Sequence, residues 1–186
     1  MGVVCFFVAT SNNAQEDAPV TPEATYVDTK TPLLDRAPFD LIVLDEENKG
    51  FTAEVQTLSS LKRPRLQEAD RKGKLQFRFL YDDAFLYEVE WIHVAKVEFF
   101  ENMLFAKAQE LVVQAKSLDP AKEFVRVEGL LDEAYRYFSR LQTEYPKYPG
   151  LEAAVDEFLY QDAGSLYKAG RFAESLSVMD QLNDRN

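Results

Sequence analysis

The chain is short of reactive side chains. Its 186 residues include one cysteine, Cys5, and one histidine, His93. An intramolecular disulfide is excluded, and so is a zinc site built from several Cys and His ligands. A Ser-His-Asp or Cys-His catalytic set would have to use His93, which lies in the alternating run LYEVEWIHVAKVEFF and reads more simply as a structural ring. No glycine-rich phosphate loop occurs, and no GxSxG or HExxH. Basic residues are outnumbered, 21 Lys and Arg against 32 Asp and Glu, which leaves a formal charge of −11. That field disfavours a general nucleic-acid binder and a coat for anionic membranes. Long apolar runs are missing too: residues 3–9 are apolar but too few to span a bilayer. These absences describe a protein expected to be non-catalytic, with no cofactor, no metal, no nucleic-acid partner and no integral membrane span. Acids are abundant, but Asp132-Glu133 and Asp156-Glu157 fall on the polar sides of helical patterns, and Asp45-Glu46-Glu47 reads as a turn.

What is present divides the chain into four stretches. Residues 1–15 (MGVVCFFVATSNNAQ) look like the remnant of a secretory signal, with Ala14 before a cleavage point, although no Lys or Arg precedes Lys30. Export to the periplasm or cell envelope is the expectation, and a cytoplasmic protein the alternative. Residues 16–37 hold Pro19, Pro22 and Pro32, with Pro38 just beyond, among acids and threonines, and read as a flexible linker.

From 38 to 97 the apolar period is two. A short apolar run at 41–44 is followed by runs at 51–58, 74–80 and 85–91 that alternate apolar and polar residues, with turn-rich segments between them. They predict four strands in a small antiparallel β module, SH3-like or a half-open barrel, with Trp91 in its core. Between the second and third runs lies SLKRPRLQEADRKGK, and residues 62–78 carry seven basic residues against two acids. Lys62, Arg63, Arg65, Arg71, Lys72 and Lys74 form either a solvated loop or a docking patch for an acidic partner.

From 98 to 186 the period is 3.6. Phe100, Met103, Leu104, Leu111, Val112 and Ala115 share a first helical face. Asp119-Pro120 reads as a cap and first residue of a second, short helix. A third helix carries Leu130, Leu131, Ala134, Phe138 and Leu141 and ends before Pro146. A fourth carries Leu151, Val155, Phe158 and Leu159, and a last one Phe172, Leu176, Met179 and Leu182. The expected fold class is therefore α+β, a small β module followed by helical hairpins.

Two of the helical blocks align. EGLLDEAYRYFSRL (128–141) sets Gly129 over Gly170 of AGRFAESLSVMDQL (169–182), Leu131 over Phe172, Ala134 over Ser175, Phe138 over Met179 and Leu141 over Leu182. In this alignment each glycine ends one helix, and a small residue then lets the next helix approach. The blocks resemble the second halves of tetratricopeptide repeats, through Ala134, Phe138 and Pro146 and through the turn YKAGRFAESL at 167–176. The match departs from the family in its spacing, since the glycines lie 41 residues apart where the usual unit is about 34. The resemblance implies a helical surface that takes a peptide or partner protein, in part through tyrosines. Two units without a cap also allow self-association through the last helix. More loosely, PFDLIVLDEENKG, YEVEW and KVEFFENM are similar to exported proteins of planctomycete-type bacteria. That resemblance implies an envelope protein, either a structural component or the front of a longer protein with a solute-binding domain.

Overall fold

Five short strands and then four helices follow one another among the described residues of the computed structural model, which are 27–58, 73–82 and 84–185. The architecture is α+β, as the change of apolar period requires. Residue contacts divide the chain into one unit up to Phe100 and a second from Glu101 onward. Residues 1–26 lie outside the described residues, and so do Lys62, Arg63, Arg65, Arg71 and Lys72. The expected signal remnant, the first half of the expected linker and most of the basic patch are therefore outside the described residues.

The first unit holds strands β1 (Asp40–Leu44), β2 (Thr52–Val55), β3 (Lys74–Phe77), β4 (Tyr87–Glu90) and β5 (Val94–Glu98). One antiparallel sheet has the order β2-β1-β5, and a second pairs β3 with β4. A bridge between Val55 and Phe79 joins them, with Gln56 N–H donating to the Arg78 carbonyl at 2.9 Å. Alternate residues face the shared core: Ile42 and Leu44, Ala53 and Val55, Leu75 and Phe77, Tyr87 and Val89. Phe79 sits edge-on to Tyr87 with ring centroids 4.6 Å apart, and Trp91 is buried in the same cluster.

Two expectations change here. The module has five strands, because VAKVE forms β5 against β1. Lys74 begins β3, where the run at 74–80 places a strand, and pairs with Glu88 across the ladder at 3.2 Å. The end of the expected linker is held in place. Arg36 pairs with the buried Glu54 and lies 3.9 Å from the centroid of the Phe39 ring, while Asp28 N–H donates to Glu54 Oε1 at 2.9 Å. A buried carboxylate needs such partners, and the segment from Val27 onward supplies them.

The second unit is built from α1 (Phe100–Lys116), α2 (Pro120–Glu144), α3 (Leu151–Lys168) and α4 (Phe172–Arg185). Asp119 caps α2 by accepting from Ala121 N–H at 3.1 Å, with Pro120 at the first helical position. The expected second helix is a short first turn, set off by a kink from the helix that carries the expected third. Glu123 departs from helical geometry (φ −121°, ψ 32°), and the helix then runs unbroken through Gly129 to Glu144. Gly129 therefore ends no helix. The buried stripe Val127, Leu131, Ala134, Phe138, Leu141 continues across it, and that burial outweighs the cost of one helical glycine, about 1 kcal/mol. Gly170 does end a helix: at φ 79° it turns the chain after α3, and Arg171 N–H reaches back to the Leu166 carbonyl at 2.9 Å.

Successive helices form hairpins. Phe138 of α2 meets Phe158 of α3 at 5.5 Å and Phe105 of α1 at 6.4 Å. The exposed Pro146 lies in the α2–α3 turn, whose Tyr148 packs on Phe105 and donates to Asn102 Oδ1 at 3.0 Å. Ser175 is the only buried residue of α4, and its hydroxyl donates to the Ala163 carbonyl of α3 at 2.8 Å.

Candidate functional site

The second and third hairpin helices leave a space between them that α4 only partly fills. A cavity of about 260 Å³ is walled by α2, α3 and α4. Helix α2 contributes Phe124, Val127, Glu128, Leu131 and Asp132; α3 contributes Asp162, Ser165 and Leu166; α4 contributes Glu174, Ser177 and Val178. Val127, Leu131 and Leu166 are buried, so the base is apolar and the rim carries four carboxylates.

Two of those carboxylates are matched by one cation. Arg171, in the turn before α4, donates to Glu128 Oε1 at 2.5 Å and to Glu174 Oε1 at 2.7 Å, and its guanidinium lies 4.8 Å from the Phe124 ring centroid. Hydrogen bonds to Glu174 first and Glu128 second raise the Arg171 pKa further above its ordinary value. Asp132 and Asp162 have no hydrogen bond or ion pair among the described residues. Burial, then repulsion from Asp132 and Glu128, pushes the half-buried Asp162 up to about 6, with Arg171 offsetting only part of it.

The repeat-packing positions separate into two groups. Ala134, Phe138 and Leu141 are buried on α2, and Ser175 is buried on α4. Their supposed counterparts are not equivalent: Phe172 is 56% exposed and Met179 39% exposed, although Leu131 and Phe138 are buried. The two blocks 128–141 and 169–182 thus differ at the glycines and in the burial of two of the three paired large apolar residues. Helix α4 packs on α3 through the Ser175 side and turns Phe172, Leu176 and Met179 outward. The tyrosines also divide. Tyr135, Tyr160 and Tyr167 are exposed, Tyr137 is buried, and Tyr145 and Tyr148 are half-buried.

The β unit holds one further cluster. Asp45, Glu47 and His93 each bring a potential metal-ligating atom within 4.8 Å of the others. Both Asp45 oxygens already serve the turn: Oδ1 accepts from Asn48 N–H at 3.0 Å and from the Asn48 side chain at 2.7 Å, and Oδ2 lies 3.1 Å from His93 Nδ1. Burial opposes ionisation of Asp45, but the bonds from the Asn48 side chain and His93 outweigh it and hold its pKa below the ordinary value. His93 is thereby a side-chain partner of Asp45. It fixes the turn after β1, whose Asp45 N–H also donates to the His93 carbonyl at 2.9 Å.

The α2–α4 groove went unread in the sequence, because Asp132 falls on a polar helix side. Asp162 did carry a signal: it lies three residues after Leu159 and four before Leu166, a charge within an apolar stripe. The chain matches no protein-family model, no curated protein and no solved structure. No helix among the described residues is long and apolar enough to cross a membrane.

Proposed function

We propose that the helical unit is a non-catalytic module of an exported protein that binds a peptide or a segment of a partner protein, on a tetratricopeptide-like surface. The observation that carries this is the groove across α2, α3 and α4, with its apolar base and polar rim. Such a combination suits a ligand side chain that is apolar along its length and polar at its tip. The small buried Ala134 and Ser175 at the helix faces support the repeat-like reading, while the helical Gly129 departs from it. A random-peptide display against the full chain tests the proposal. Peptides should be selected that are lost when Ser177→Trp fills the groove; selection of none, or equal binding by the filled variant, rejects it.

A second reading is an assembly subunit of the cell envelope. The exposed Phe172, Leu176 and Met179 on one side of α4, with Tyr167 against Phe172 at 5.2 Å, favour it. Light scattering over a concentration series separates the two. An assembly subunit gains mass with concentration and loses that gain on Leu176→Glu, whereas a ligand-binding module stays monomeric in both forms.

A further inference from the structure

The groove is unevenly matched in charge. At one end Arg171 lies among Glu128, Glu174 and the Phe124 ring, so this chain itself shows how a guanidinium fits there: two carboxylates around it and an aromatic face beside it. Further along, Asp132 of α2 and Asp162 of α3 line the same cavity without such a partner. The buried Val127, Leu131 and Leu166 line the same cavity and give it an apolar base. The carboxyl of Asp162 is held at a raised pKa by burial and by its acidic neighbours, as expected of a site with one positive charge too few.

We propose that the space between Asp132 and Asp162 receives the basic side chain, Arg or Lys, of a partner's peptide segment, whose methylenes cover the apolar base. This rests on the binding-module reading and names its ligand class. Charge complementarity selects that occupant. An acidic or neutral side chain would leave the repulsion between the two carboxylates uncompensated, whereas a guanidinium or ammonium offsets it and its aliphatic stem suits the base. A second copy of the chain, with its −11 charge, is disfavoured as a general occupant of an acidic groove.

The test uses the full chain and the peptides selected by display. Three forms are compared on them: the native chain, Asp132→Asn/Asp162→Asn, and the charge-matched control Glu152→Gln/Asp180→Asn, whose residues do not line the groove. Both double variants remove the same formal charge, so general attraction to an acidic protein affects them alike. Groove-dependent peptides are expected to be enriched in Arg or Lys, to bind the Asp132/Asp162 variant at least ten-fold more weakly, and to bind the control within two-fold of the native chain. Replacing the basic residue by Gln should produce the same ten-fold loss. Groove-dependent peptides without basic enrichment, or with equal affinity for both double variants, overturn this inference and leave the binding module standing. A display that yields no groove-dependent peptide overturns both.

Discussion

Burying a carboxylate costs several kcal/mol unless its oxygens are hydrogen-bonded, and Asp40 meets that condition with backbone donors from distant parts of the chain. Its Oδ2 accepts from Leu58 N–H at 2.8 Å and its Oδ1 from Phe100 N–H at 3.1 Å, contacts that span 18 and 60 residues. Asp40→Ala leaves buried N–H groups without these acceptors and should cost about 2–4 kcal/mol. Trp91 is the one tryptophan and is buried in the β unit, so urea unfolding followed by its fluorescence reads this loss directly. A cost below about 1 kcal/mol would mean that water replaces Asp40 at both donors. Glycine gives a sharper contrast. A Cβ added at Gly129 meets nothing within 4 Å inside α2, so Gly129→Ala should stabilise the helices by about 0.5–1 kcal/mol. Gly170 sits at φ 79°, and Gly170→Ala should cost about 1 kcal/mol or more. Thermal melts at 222 nm check both, and equal signs would contradict the different roles of the two glycines.

The elements show where sequence pattern carries structure and where it does not. Strands β1 to β4 were legible from the short apolar run of β1 and the apolar alternation of the others, as in Leu75 and Phe77 of β3. Strand β5 was not, since only Val94 of its five residues is fully buried and its place is fixed by pairing with β1. The continuity of α2 was hidden by Gly129, a local helix-breaking signal that the stripe on either side overrides. The groove was hidden for a different reason: its lining comes from three helices, and no single helix pattern contains it. The hairpin itself yields a clear expectation. Ala134 is fully buried on α2, so Ala134→Leu should overpack the helical unit and cost about 1–3 kcal/mol in chemical unfolding. A neutral result would mean that the space beside Ala134 is larger than its burial indicates.

For the molecule as a whole, acidity sets a stability profile with two limbs. Hydrogen bonds from Gln76 and then Lys74 hold Glu88 below its ordinary pKa, and bonds from the Ala121 backbone and then Lys122 do the same for Asp119. Such groups favour the folded state above the unfolded carboxyl pKa of about 4, and that contribution is lost as pH falls through their lower folded values. Asp162 acts in the opposite sense. Its folded pKa of about 6 exceeds the ordinary aspartate value of 3.8, so the native state binds the extra proton between these values and stability falls as pH rises across that window. Asp162→Asn should flatten this limb and gain about 1 kcal/mol at pH 7, a figure reduced because the group is partly solvated. Melting temperatures of both forms from pH 4 to 7 test it, and parallel curves would remove Asp162 as the cause.

The strand order β2-β1-β5 also has a consequence during synthesis. Strand β1 can pair with β2 as soon as both have left the ribosome, but its other neighbour is made only after β3 and β4. At about 5–20 residues per second, that interval lasts a few seconds. Until it ends, the middle strand of the sheet is an edge strand with unpaired backbone groups, the kind of surface on which nascent chains stick to one another. A holding chaperone that meets this protein in translation would therefore find its target at residues 40–44, a stretch that the finished fold covers on both sides.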